Sequence, residues 1–90
     1  MTNKRTLKKT IKMISEGLFA ECAAVSLHAQ ASTLDNIQAV LFSIVRLQED
    51  FTARISHPEP GMPAKEYFKD LREKFSAQAS DLQDQIDNMN

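Results

Sequence analysis

The sequence predicts an all-α protein, a three-helix up-down-up antiparallel bundle. Three observations predict it. Apolar residues recur at steps of three and four over three long stretches. The connections between those stretches are short, so neighbouring helices must run antiparallel. All three prolines gather at one break, HPEPGMP at 57–63. Taken alone, AVLFSIV could be a strand, but helical patterns continue on both sides of it. Ninety residues suffice for one small domain with one core.

The first helix is expected over about 3–30, with Thr2 or Asn3 as its cap. Leu7, Ile11, Ile14, Leu18, Cys22, Val25 and Ala29 form its stripe. Gly17 inside that pattern costs the helix about 1 kcal/mol relative to Ala. The sequence offers a reason for it, the close approach of another backbone. The segment ASTLDN then reads as a turn, with Ser32 or Thr33 capping the second helix and Asp35 in its first turn.

The second helix, 33–56, organises the chain. Ile37, Val40, Leu41, Ile44, Leu47, Phe51 and Ile55 share one face. Residues before proline are pushed out of the helical region, which stops this helix near His57. Pro60-Gly61 fits the central pair of a type II turn. Pro63 suits the first turn of a third helix, 63–88, whose stripe is Phe68, Leu71, Phe75, Leu82, Ile86 and Met89. Gln78 and Gln85 interrupt that stripe, so the third helix is the narrowest cover.

Apolar residues are left over. Phe19, Ala23 and Leu27 point away from the first helix's stripe, and Phe42 lies off the face of the second. Part of this width serves two neighbours in a bundle. The rest forms a candidate self-association surface of Phe19, Ala23, Leu27 and Phe42.

Charge segregates. Residues 1–15 carry Lys4, Arg5, Lys8, Lys9 and Lys12 without an acid, whereas residues 76–90 carry Asp81, Asp84 and Asp87 without a base. Both placements oppose the helix dipole. The structural explanation is that Lys8, Lys9 and Lys12 face Glu49 and Asp50 at one end of the bundle. The functional alternative is a phosphate-binding patch for nucleic acid. Against that patch stand the net charge of -1 and the absence of interleaved aromatics or a glycine loop.

No chemistry-bearing constellation emerges. Cys22 is the lone cysteine and falls on the core stripe, where a thiol is inert. Neither HxxxH nor ExxH occurs, so no cofactor or metal is expected. Arg54, His57 and Glu59 cluster around the proline break as a candidate loop site. No signal peptide or membrane span is read, and a lone thiol suits a reducing cytoplasm.

Phe19-Ala20-Glu21-Cys22, Ile55-Ser56-His57 before Glu59-Pro60-Gly61, Tyr67-Phe68, Leu71-Arg72 and Phe75 carry a resemblance. With these residues the chain resembles a group of small uncharacterised helical proteins from Bacteroidetes. The resemblance implies a helical bundle and brings no activity. It draws attention to Arg54, His57, Glu59, Gly61 and Arg72. Pro58 departs from the small polar residue expected there and stiffens the loop.

The expected function is a non-enzymatic interaction or scaffolding role. The expected partner is the protein itself or another protein, with nucleic acid as the alternative and no membrane.

Overall fold

The computed structural model describes residues 4–89. The proposed caps Thr2 and Asn3 lie outside these residues. The helices are α1 (Lys4–Ser26), α2 (Leu34–Ser56) and α3 (Ala64–Asn88), with a 3-10 turn at Ala31–Thr33 leading into α2. They run up, down and up in a rod 48 × 19 × 17 Å.

The core is built from one face of each helix. Leu7, Ile11, Leu18 and Cys22 of α1 meet Ile37, Val40, Ile44, Leu47, Phe51 and Ile55 of α2. Leu71, Phe75, Leu82 and Ile86 of α3 close it. Phe51 is fully buried and meets Phe75 edge-on, with ring centroids 5.4 Å apart. Aromatic pairs favour that geometry because a positive ring edge meets a negative face.

α1 stops at Ser26, earlier than its apolar stripe suggests. Ser26 Oγ donates to the Ala23 carbonyl, and Leu27 N–H and His28 N–H close tighter turns onto Ala24 and Val25. These local bonds take carbonyls that continued helix would have used. Neither Ser32 nor Thr33 caps α2 through a side-chain bond, because the 3-10 turn runs directly into the helix.

The stripe of α1 is also rotated from the expected one. Ser15 is buried, whereas Ile14 is 40% exposed. Ile14 lines a cleft of about 470 Å³ between α1 and α3, opposite Ser76, Ala79 and Ser80. Small residues there leave Ile14 uncovered.

No backbone approaches Gly17, which is exposed. A methyl group built there meets nothing within 4 Å. The explanation by close approach is therefore wrong, and Gly17 is a tolerated weak point in α1. Gly17→Ala is expected to stabilise the fold by about 1 kcal/mol, measurable as a rise of roughly 4–8 °C in Tm for a domain of this size. A fall in Tm would mean that this position needs glycine after all.

The proline break forms as the sequence predicts. Gly61 has φ +90°, the value the third position of a type II turn requires. Pro58 adds a second effect. It has no N–H, so the Arg54 carbonyl four residues earlier loses its helical donor. Tyr67 of α3 supplies one instead, its hydroxyl donating to the Arg54 carbonyl at 2.9 Å. That bond ties α3 to the end of α2.

Candidate functional site

Three groups of residues were singled out above, and the structure treats them differently. The apolar group is only partly united. Phe42 is 64% exposed, Phe19 is 42% exposed and Ala23 is half-buried beside it on α1. Leu27 lies beyond the end of α1 and lines a separate hollow with His28 and Ile86, between α1 and α3.

Other apolar residues extend the exposed surface. Leu34 and Val45 of α2 are each 42% exposed, and Leu41 is half-buried. Helical spacing puts Leu34, Leu41 and Val45 on one edge of α2. The opposite edge of α2, with Val40, Ser43 and Leu47, meets α3. On α1, Leu7, Ile11 and Ile14 turn toward α3. Phe19 sits on the other edge, in register with Lys8, Lys12 and Ser15. The side of the α1/α2 hairpin turned away from α3 is therefore an apolar strip of Phe19, Leu34, Leu41 and Val45. Phe42 is not on this strip; it lines the α2/α3 hollow with Ser43, Leu47, Gln78 and Asp81, the Arg46 guanidinium 5.7 Å from its ring centre.

Val45 and Leu34 were missed as exposed residues in the sequence. The signal was present, since both fall off the Ile37–Ile55 face. Leu41 hid it by standing between that face and theirs.

The loop group does come together. Arg54, His57 and Glu59 line a shallow hollow of about 250 Å³ with Tyr67, Asp70 and Lys74. Its members are engaged structurally. Arg54 pairs with Asp50 at 3.0 Å and lies over the Phe51 ring at 4.6 Å. His57 ends α2, its backbone N–H donating to the Ala53 carbonyl. Lys74 pairs with Asp70 at 2.9 Å. Arg72 is not part of this hollow and lines the α1/α3 cleft instead.

The basic group lies along the first half of α1. Lys12 pairs with Glu16 on its own helix at 4.0 Å, and Asp50 pairs with Arg54 on its own. Among the described residues no ion pair joins Lys8, Lys9 or Lys12 to Glu49 or Asp50, and Lys12 and Asp50 each pair within their own helix. Such exposed pairs contribute little.

Folding the chain sharpens the sorting of charge. Cys22 Sγ reaches the Ile37 carbonyl at 3.8 Å, and Gln83 donates to Glu21 at 2.7 Å, which places these residues near one end. Phe51, Phe75, Arg54 and Tyr67 meet toward the other. The division between the halves falls near Ile14, Val45 and Ser76. Ten of the eleven Lys and Arg lie on the side of the proline break, with six of the twelve acids, and Arg46 stands at the division with its guanidinium over the Phe42 ring. The half with the α1–α2 turn holds Glu16, Glu21, Asp35, Asp81, Asp84 and Asp87, and Arg46 alone reaches into it, lining a hollow with Phe42 and Asp81.

Cys22 is fully buried, and desolvation pushes its thiol above the ordinary value of 9.0. A thiol in that state is a packing group, not a nucleophile. Among the described residues, no group of three or more His, Cys, Asp or Glu is placed to hold a metal ion. No described helix is long and apolar enough to cross a membrane.

The fold and its surface define a small helical bundle with an uncovered apolar strip and two halves of opposite charge. Comparison with protein-family models, curated proteins and solved structures finds no match.

Proposed function

We propose that this chain is a non-enzymatic helical-bundle module for protein–protein contact, acting in the cytoplasm, and that it associates with itself. The observation that carries the reading is the strip of Phe19, Leu34, Leu41 and Val45. Each exposed aromatic or aliphatic group costs free energy in water that a partner surface would recover, on the order of 25 cal/mol per Å² of apolar area. The loop group supports a structural role, because Arg54 and His57 are occupied in ending α2.

Light scattering on the full chain tests the reading, at tens of micromolar and in high salt. The expected mass is that of a dimer. Phe19→Glu and Val45→Glu are each expected to weaken association by more than tenfold while leaving helicity by circular dichroism unchanged. A wild-type monomer would overturn the reading.

One observation favours a second reading, a nucleic-acid accessory role. The half of the rod that holds ten of the eleven Lys and Arg includes Lys4, Arg5, Lys8, Lys9 and Lys12 on one helix. Phosphate binding by those residues would weaken steeply as salt rises. Absence of binding to duplex and to single strands at low salt would remove it.

A further inference from the structure

We propose that the cleft between α1 and α3 binds a linear acyl chain ending in a carboxylate, a medium-chain fatty acid. The cleft lies on the opposite edge of α1 from Phe19, so the proposal stands apart from self-association.

The argument starts from small side chains. In an up-down-up bundle α1 and α3 run parallel, and the Gln83 to Glu21 hydrogen bond sets their register. In that register Ile14 stands level with Ser76, and Ala79 and Ser80 follow one turn on. A long aliphatic residue at any of these α3 positions would reach across and seal the seam. The small residues leave a cleft of about 470 Å³ instead, within the roughly 300–1,000 Å³ of small-ligand sites. Leu7, Ile11, Leu18 and Phe75 form its floor, and Ile14, 40% exposed, stands at its rim. A hydrocarbon chain laid there covers apolar surface that the fold leaves in water.

The two ends of the cleft differ, and the difference orients the ligand. The cleft runs from Leu7 to Leu18 on α1 and from Arg72 to Gln83 on α3. That stretch of helix spans about 16 Å, the length of an extended chain of about a dozen carbons. At the inner end the Gln83 amide donates to the Glu21 carboxylate at 2.7 Å. That bond bridges the two helices, and its carboxylate repels an anionic head. At the outer end Arg72 lines the cleft, and Lys69 and Lys65 continue its edge of α3 toward the proline break. A guanidinium grips a carboxylate through paired hydrogen bonds. Its five N–H donors let it take a head group beside a partner from the chain. The head therefore sits at Arg72, and the tail runs past Ile14 toward Gln83.

Titration of the full chain with dodecanoate, followed by two-dimensional NMR, tests the site. Half-saturation is expected at roughly 0.1 mM, the strength a ligand of this size reaches in a partly open site. The largest shifts are expected at Ile14, Leu18 and Ala79. No saturable binding, or largest shifts at Leu34, Leu41 and Val45, would overturn the site. Dodecyltrimethylammonium carries the same tail on a cationic head and is expected to bind at least tenfold more weakly. Equal binding of the two would overturn the assignment of the head group.

Variants separate the tail from the head. Ser76→Leu fills the cleft from an exposed position, and Ala79→Leu fills it from a half-buried one. Each is expected to weaken dodecanoate binding more than tenfold while helicity by circular dichroism holds. Arg72→Gln is expected to weaken dodecanoate several-fold and to leave dodecyltrimethylammonium no weaker. Unchanged dodecanoate binding in the folded Ser76→Leu protein would overturn the cleft as the site. Equal losses for both amphiphiles in Arg72→Gln would overturn its role in holding the carboxylate.

Discussion

Phe51→Ala is expected to cost about 3–5 kcal/mol, the largest loss from any single truncation in this chain. Phe51 is fully buried and packs edge-on against Phe75 of α3. Its ring also lies under the Arg54 guanidinium at 4.6 Å. Truncation removes all of these contacts and leaves a ring-sized hole that three long helices cannot readily close. A domain this small has about 5–10 kcal/mol in total, so the variant should sit near its unfolding threshold. Urea unfolding followed by helicity measures the effect. Phe42→Ala is the matched control. That ring is 64% exposed, and its loss should change stability by no more than about 0.5 kcal/mol. Similar losses for the two would refute the placement of Phe51 at the centre.

The contrast between these two phenylalanines was legible in the sequence, because α2 has the widest apolar face and the clearest period. Ile37, Val40, Ile44, Leu47, Phe51 and Ile55 are all buried as the spacing requires. Only Leu41, at the edge of the face, is less covered. The proline break was equally legible, since Pro and Gly act through local sterics.

α1 was harder. Its period identified residues that share a face, but not the rotation of that face against two different neighbours. The sequence placed Ile14 in the core and gave Ser15 no role. A rotation of a few tens of degrees reverses them, and the small residues Ser76, Ala79 and Ser80 on α3 decide it by leaving Ile14 without a cover. The Tyr67–Arg54 bond depends on tertiary approach in the same way. The orphaned carbonyl could be counted from Pro58, but not the group that would reach it. The charge sorting was half visible. The basic start and acidic end were plain, yet only the up-down-up path brings Asp35, Glu16 and Glu21 together with the acids of α3.

Ser15→Ala is expected to stabilise the fold by about 1–2 kcal/mol, against the usual direction for a core substitution. Ser15 is 1% exposed, and its hydroxyl has no hydrogen-bond partner. Burying an unpaired hydroxyl forfeits its bonds to water, a cost of about 1–3 kcal/mol. Alanine removes the oxygen and keeps the methylene carbon, so the space left is smaller than a methyl group. It is also the better helix former, by a few tenths of a kcal/mol. Ser15→Val separates polarity from volume, since it fills the site but is β-branched and wider than the serine it replaces. That variant should gain less than Ala, or lose stability, if the α1–α2 seam is tight. Thermal unfolding of the three proteins at one concentration measures the order, and the concentration must match because the proposed self-association would also raise Tm. A lower Tm for Ser15→Ala would show that the hydroxyl makes a bond in solution. The α1–α2 seam would then be polar and hydrated at its centre, with Ser15 helping to fix the register of the two helices.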